Sequence, residues 1–297
     1  MLDPDLILFR HIVAAGSLAA AGRALGLSAP MVSKRLCRLE QRLGAPLLRR
    51  TTRRLALTPA GERFHADVIA LGVAAEEAEA RLRGSASTAR GPLRISVPTS
   101  LGRLYVAPAL PAFLDQYPEV RVELHLSDDY VDLIAAGFDL ALRITSDVGA
   151  GLEAEKLAAN RRVLCAAPAY LLRHGTPQSV ADLASHHLLA AEGQLPWKLA
   201  RPGRSWSCEG QSRVLTNSSE AVRELALAGA GIALRSLWDV SEDLSRGRLI
   251  RVLPEVAGSA SAAMHLVWPR APLIPEAVRA YSQHLRDLFK SVEKITA

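Results

Sequence analysis

A chain of 297 residues is too long for one small domain, and its hydrophobic share of 49% supplies buried cores for two or three. With aromatics at 5%, those cores are expected to be aliphatic. The net charge of +6 is local: residues 1–60 hold ten Lys/Arg against three Asp/Glu, while the rest holds 26 against 27. Such a patch beside a near-neutral body suits a polyanion. No apolar run approaches the length of a membrane helix, which argues against a membrane protein. The stretch Ile12–Ala21 mimics a secretion signal after Arg10 and His11, but Asp3 and Asp5 stand where such a signal carries positive charge. Cys37, Cys165 and Cys208 have neither metal-ligand spacing nor a disulfide pattern, so a reducing cytoplasm and buried thiols are expected, with a redox-sensing thiol as the alternative.

Leu6, Phe9, Ile12 and Val13 recur at helical spacing, with Asp3 as cap and Pro4 in the first position. Ser17 caps a second helix, Leu18–Leu25, which Gly26 ends. Ser28 caps a third, with Pro30 tolerated in its first turn. In that helix Val32, Leu36, Leu39 and Leu43 form the apolar stripe, and Ser33, Lys34, Arg35, Arg38 and Arg42 occupy other faces. Gly44 and Pro46 stop it. Arg49, Arg50, Arg53 and Arg54 then surround Thr51 and Thr52, and Leu55 and Leu57 alternate as in the return strand of a short hairpin. A charge run is often a solvated face. Four arginines directly after a helix-turn-helix instead predict a wing on phosphates, with the third helix in a major groove. Ser33, Lys34 and Arg35 are the base-reading candidates; Ser28, Pro30, Arg38 and Arg42 complete the expected DNA face.

Thr58-Pro59 opens a long helix in which Phe64, Val68, Leu71, Ala75, Ala78 and Leu82 are spaced as a heptad seam, expected to join two subunits; packing on its own domain is the alternative. Residues 83–92 read as a hinge. From Leu93 strands and helices alternate: LRISV, a helix Leu104–Tyr117, VRVELHL, a short helix Val131–Ala136, FDLALRI, RVLCAAP, a helix from Pro168, VLTN, a helix Ser219–Ala228 and GIALRS. That alternation predicts an α/β architecture. A ligand cleft is expected at the strand ends, bringing together Thr99, Ser100, Ser127, Asp128, Arg143, Asn217 and Ser218. Hydroxyls and helix amino-terminal N–H groups favour an anion, a carboxylate metabolite, as ligand. Helix capping is the alternative for Ser100, Ser127 and Asn217, and an ion pair with Asp128 or Asp139 for Arg143.

The segments GSLAAAGRALGLSAPMVSKRL and LEQRLGAPLLRRTTRRLALTPAG, with Phe9 before them, make residues 1–90 resemble the amino-terminal region of LysR-type transcriptional regulators. The remainder resembles that family's effector domain. Ala29 departs from a frequent glutamine, removing one possible base contact, and Leu48 replaces a frequent phenylalanine. The resemblance implies a winged helix-turn-helix domain (1–61), a linker helix and hinge (62–90) that makes the dimer, and a two-lobed α/β effector domain like periplasmic binding proteins (91–297). Lobe I would hold 91–161 and 266–297, lobe II 162–265. It implies Ser100, Ser127 and Asn217 in the cleft. The expected partners are double-stranded DNA, a small effector and the chain itself, as a dimer that pairs into a tetramer; no cofactor or metal is expected.

No GxSxG elbow, GxxxxGK[ST] loop or HExxH pair occurs, and His174, His186 and His187 adjoin nothing that looks catalytic, so an enzyme is not expected. A solute-binding protein has no use for the basic amino terminus. An architectural DNA binder without effector remains the other alternative.

Overall fold

The computed structural model describes residues 3–50, 55–82, 89–210, 212–271 and 273–296; the side chains of residues 50, 55, 77, 80–82 and 291–296 lie outside that description. The chain divides into two compact units, one within Met1–Leu93, Tyr117–Val122 and Ala271–Ala280, the other within Arg94–Gln116, Glu123–Arg270 and Tyr281–Ala297.

The first unit opens with α1 (Pro4–Ala15), α2 (Leu18–Leu25) and α3 (Ala29–Leu43), followed by a hairpin of β1 (Leu48–Arg50) and β2 (Leu55–Leu57) and by α4 (Pro59–Leu82). Side chains start the first three helices: Asp3 accepts from Asp5 N at 2.8 Å, Ser17 Oγ from Ala20 N at 3.1 Å and Ser28 Oγ from Met31 N at 3.4 Å. Gly22 lets the turn close, because a Cβ there would stand 2.5 Å from the Leu27 carbonyl oxygen. Phe9, Ile12, Ala21, Val32, Leu36, Leu39 and Leu47 are buried as one core. Leu43 departs from the expected stripe and is exposed, since α3 ends at Gly44 before anything covers that last turn.

The linker helix also departs from expectation. Val68 is buried in the same core, with Phe64 packed against it and its ring 5.6 Å from that of Phe9. Within the chain these two residues are packed into the reader's own core, so the first turns of α4 complete the reader. Gly61 fixes the approach, as a Cβ there would lie 2.0 Å from Leu47 O. Beyond them Leu71 is exposed and Ala75 and Ala78 half-buried; the side chain of Leu82 lies outside the described residues.

The second unit contains most of two sheets, each the centre of a lobe. Elements follow in the order β3 (Gly91–Val97), α5 (Thr99–Leu101), a π-helical turn (Gly102–Val106), α6 (Ala107–Gln116), β4 (Val120–Leu126), α7 (Leu133–Ala136), β5 (Leu140–Thr145) and β6 (Leu152–Ala159). The chain continues with β7 (Arg162–Ala166), α8 (Pro168–His174), a 3-10 turn (Ala181–Ser185), β8 (Leu188–Leu189), β9 (Trp197–Arg201), β10 (Arg204–Cys208) and α9 (Ser219–Leu227). It ends with β11 (Ile232–Ser236), α10 (Leu237–Ser245), β12 (Ile250–Gly258), β13 (Ala263–Pro269) and α11 (Glu276–Thr296). Lobe I has strand order β4-β3-β5-β13-β6 and lobe II β10-β9-β12-β7-β11-β8. The chain passes between them twice, from β6 to β7 and from β12 to β13. Both sheets are mixed: β5 runs parallel to β3 and antiparallel to β13, while β11 runs parallel to β8 and antiparallel to β7.

Strand β7 shows why an uninterrupted apolar run is needed. Val163 and Cys165 enter one cluster with Val222 and Val240, whereas Leu164 and Ala166 enter another with Tyr170, Trp197 and Leu234, so both faces are buried. The cores are not purely aliphatic: the largest fully buried side chains include Trp197, Tyr170, Tyr281, Phe9, Phe113 and Phe289. The few aromatics are concentrated inside, where a ring removes the most area from water.

Several expected elements differ. VLTN is not a strand: residues 214–217 form an irregular loop, tied where Thr216 O accepts from Glu192 N at 2.9 Å. The helix expected from Leu104 starts at Thr99, and Gly91 and Pro92 of the expected hinge belong to β3. Residues 83–88 of that hinge lie outside the described residues.

The reader's core predicts a contrast within one helix. Leu36→Ala should destabilise the protein by about 2–5 kcal/mol through cavity formation, whereas Leu43→Ala should change little. Urea unfolding of both variants checks this, and equal losses would contradict the burial pattern.

Candidate DNA-reading face and inter-lobe cleft

Helix α3 presents its polar side chains unequally. Lys34 and Arg38 are exposed and make no hydrogen bond or ion pair with any described residue; Ser28 and Pro30 are exposed and Ser33 half-buried. Arg35, expected to read bases, is instead tied to α1, its Nε and Nη2 each 2.6 Å from Asp5 Oδ1. Arg42 pairs with Asp3 at 2.8 Å, and that contact joins the Asp5 N–H in holding the Asp3 carboxyl below its ordinary pKa, the backbone bond being the larger cause. Both arginines therefore join α3 to α1, because acidic residues in the amino-terminal turn of α1 face them.

The hairpin is placed by a residue the sequence reading passed over. Glu40 Oε1 accepts from Leu47 N at 2.8 Å and from Leu48 N at 3.2 Å, fixing the path from α3 into β1. Arg49 is exposed on β1. Arg53, Arg54 and the side chain of Arg50 lie outside the described residues.

Between the lobes lies a cleft of about 450 Å³. Ser100, Ser127, Asp128 and Arg143 line it; Thr99, Asn217 and Ser218 do not. Asn217 is exposed on the irregular loop, and Ser218 Oγ caps α9 by accepting from Ala221 N at 3.2 Å. The expected free helix amino termini are also occupied. Asp128 Oδ1 accepts from Thr99 N at 2.9 Å, at the start of α5, and Oδ2 accepts from Ser219 N at 2.7 Å, at the start of α9. One internal carboxylate thus bridges the lobes where an external one was expected. Ser127 Oγ accepts from Asp129 N at 3.1 Å.

Arg143 pairs with neither expected partner. Its Nη2 donates to the Val131 carbonyl and its guanidinium lies 4.0 Å from the Tyr130 ring centroid, while Nη1 is buried without a hydrogen-bond partner. Two more buried donors in the cleft lack partners, Arg162 Nε and Ser100 Oγ. Burial lowers the pKa of Arg162 from its ordinary value. Arg235 is different: its Nε bonds Asp239 at 2.9 Å in a buried pair. Asn160, also missed in the sequence, accepts from Trp238 Nε1 at 3.0 Å. Its position in the first passage between lobes was the available signal. Among the described residues no group of His, Cys, Asp or Glu is arranged to hold a metal ion, and no helix is long and apolar enough to cross a membrane.

A helix-turn-helix with a β hairpin, joined to two α/β lobes around a polar cleft, defines a DNA-binding regulator that carries an effector domain. The matches to known families agree with that class. Residues 4–62 match "Bacterial regulatory helix-turn-helix protein, lysR family", and residues 86–290 match "LysR substrate binding domain". The chain belongs to the LysR family of transcriptional regulators, proteins that are not enzymes. It is 36% identical over 292 residues to the probable HTH-type transcriptional regulator LtrA of Klebsiella pneumoniae, covering 96% of this chain and 94% of the relative. It is 37% identical to the HTH-type transcriptional regulator DmlR of Escherichia coli K12, covering 84% and 83%. The full-length structure of the Vibrio cholerae virulence activator AphB, a member of the LTTR family, is similar with a TM-score of 0.61 at 28% identity, covering 96% and 98%. CrgA of Neisseria meningitidis, a LysR-type regulator, is similar with a TM-score of 0.56 at 29% identity over the whole of both chains.

The cysteines give a prediction at this point. Cys165 is fully buried, donates weakly to Ala233 O at 3.7 Å, and burial pushes its pKa to about 12. At pH 8 it is almost wholly thiol, well below that folded pKa, and inert. Native labelling with a thiol reagent should leave Cys165 unmodified until the protein is unfolded; modification in the native state would contradict this burial.

Proposed function

We propose that this chain is a sequence-specific, cytoplasmic transcriptional regulator whose binding to DNA is modulated by a small anionic effector held between the lobes. The observation that carries the anionic reading is the set of three uncommitted buried donors, Ser100 Oγ, Arg143 Nη1 and Arg162 Nε, in one 450 Å³ cleft. A buried donor without a partner costs free energy that an anion removes on binding. Asp128 already satisfies the two helix starts, so the ligand's charge is taken by the arginine side of the cleft.

On the reader, Lys34, Arg38 and Arg49 are the described side chains we assign to DNA, together with Ser28, Pro30 and Ser33; Arg50, Arg53 and Arg54 extend the wing assignment by sequence. Arg35 and Arg42 act through α1 as struts in this assignment. Dimer formation is assigned to the distal part of α4, where Leu71 is exposed and Ala75 and Ala78 follow at heptad spacing, with Leu82 by sequence. A dimer of dimers is the assembly proposed on promoter DNA. The functional organisation we assign is a reader at 1–61 whose core the first turns of the linker close, a linker helix and hinge at 62–90, and an effector domain at 91–297.

The direct experiment is fluorescence anisotropy on the DNA ahead of the protein's own gene, across a salt series and with a panel of small carboxylates and their neutral amides. Competitor-resistant binding that shifts with a carboxylate but not with its amide supports the proposal. Competitor-resistant binding that no member of the panel shifts removes the anionic effector. Arg38→Ala should weaken binding to all sequences alike and reduce the salt slope by about 1, as expected for one phosphate contact. A loss confined to one base position would contradict that role. Leu71→Glu should halve the sedimentation mass of the dimer, and an unchanged mass would remove α4 from the interface.

A further inference from the structure

Lobe II carries another cavity, of about 330 Å³, that shares no lining residue with the cleft. One side is apolar. Val180, Trp206 and Leu253 are partly buried against the lobe II core, and Val256 is buried in it. Leu253 adopts φ 49, a left-handed conformation uncommon for a leucine. The other side is cationic. Arg201 and Arg204 face each other in register across the β9–β10 hairpin, their guanidinium carbons 5.6 and 5.1 Å from the Trp206 ring centroid.

The two cations differ from the carboxylate-paired arginines of this lobe. Arg223 bonds Asp243, Arg235 bonds Asp239 and Arg246 pairs with Glu242. The side chains of Arg201 and Arg204 make no hydrogen bond or ion pair with any described residue. Two like charges share one indole ring, with Glu255 the single carboxylate among the lining residues. Stacking on the ring orients both guanidiniums, and their mutual repulsion falls when an anion sits between them.

We propose that this cavity is a second ligand site, for a small aromatic carboxylate. The ligand's ring packs against Leu253, Val256 and the Trp206 edge, and its carboxylate meets Arg201 and Arg204. The volume suits a bicyclic acid and not a folded partner, and the paired guanidiniums match a planar carboxylate. The site is independent of the inter-lobe cleft, so either assignment stands without the other.

The test is calorimetric titration of the full-length protein with 2-naphthoate, with 2-naphthamide as its neutral counterpart. Saturable binding is expected, with the amide at least tenfold weaker. The Arg201→Gln/Arg204→Gln variant, altered only at exposed hairpin positions, should lose one equivalent of binding per chain at an unchanged thermal midpoint. Binding that also persists in Arg143→Gln assigns that equivalent to this cavity. Absence of saturable binding, an isotherm unaffected by the hairpin substitutions, or equal affinity for the amide overturns the proposal.

Discussion

The effector unit is organised around the Asp128 carboxylate, which accepts from the first N–H of a helix in each lobe. Helix starts carry partial positive charge and N–H groups with no partner inside the helix. Placed at the mouth of a cleft, they attract whatever anion is present. Here the chain supplies its own, so these donors are satisfied and the two lobes are tied through one side chain. Neighbouring contacts reinforce the tie: Arg103 pairs with Glu220, and Tyr105 Oη donates to Trp238 O at 2.8 Å. A ligand that alters the angle between the lobes has to act against these links. Its affinity must therefore differ between the two arrangements, which is the thermodynamic condition for allosteric control.

The reader is held by a different kind of constraint. Its three helices are too short to bury a core alone, and α4 closes it through Phe64 and Val68. The start of the linker helix is thus fixed to the reader by packing, with Gly61 allowing the close approach to Leu47. A rotation imposed on the distal part of α4 would turn the reader with it, because a close-packed interface does not deform continuously. The six-residue heptad pattern is therefore not uniform: Phe64 and Val68 pack into the core, Leu71 is exposed, and Ala75 and Ala78 are half-buried.

Local signals made the reader legible. Ser17, Ser28, Gly26 and Gly44 mark helix ends by chemistry that operates within four residues, and each acts as such in the structure. Partner identity was less legible. Periodicity shows that Phe64 and Val68 are buried, but not by what; Arg35 and Arg42 read as DNA contacts because Asp5 and Asp3 lie some thirty residues or more away in sequence. In the effector unit β6, β12 and the β9–β10 hairpin were missed, although Pro202-Gly203 between them is a turn signal. The composition of VLTN suggests a strand, but the segment is a loop, and Asn217 on it lies outside the cleft. Asp128 was identified as a cleft residue, yet its role depends on two backbone groups that no side-chain pattern reveals.

The arginines separate structural from ligand-directed positions more cleanly than residue type does. Arg223 and Arg235 are buried beside aspartates, and removing either partner would leave an uncompensated charge. Such pairs add little net stability but hold α9, α10 and β11 in one geometry. Arg143 is buried and Arg162 half-buried in the cleft, each with one buried donor left open, a state that the fold tolerates because water or an anion can enter there. Lys34 and Arg38 are exposed with no partner, where the cost of leaving a charge unpaired is small and attraction to phosphate is available. The same cation is thus tied down or left open according to whether its neighbours include a carboxylate, a cavity or solvent, and the roles of ligand donor and phosphate contact are proposed only for the open ones.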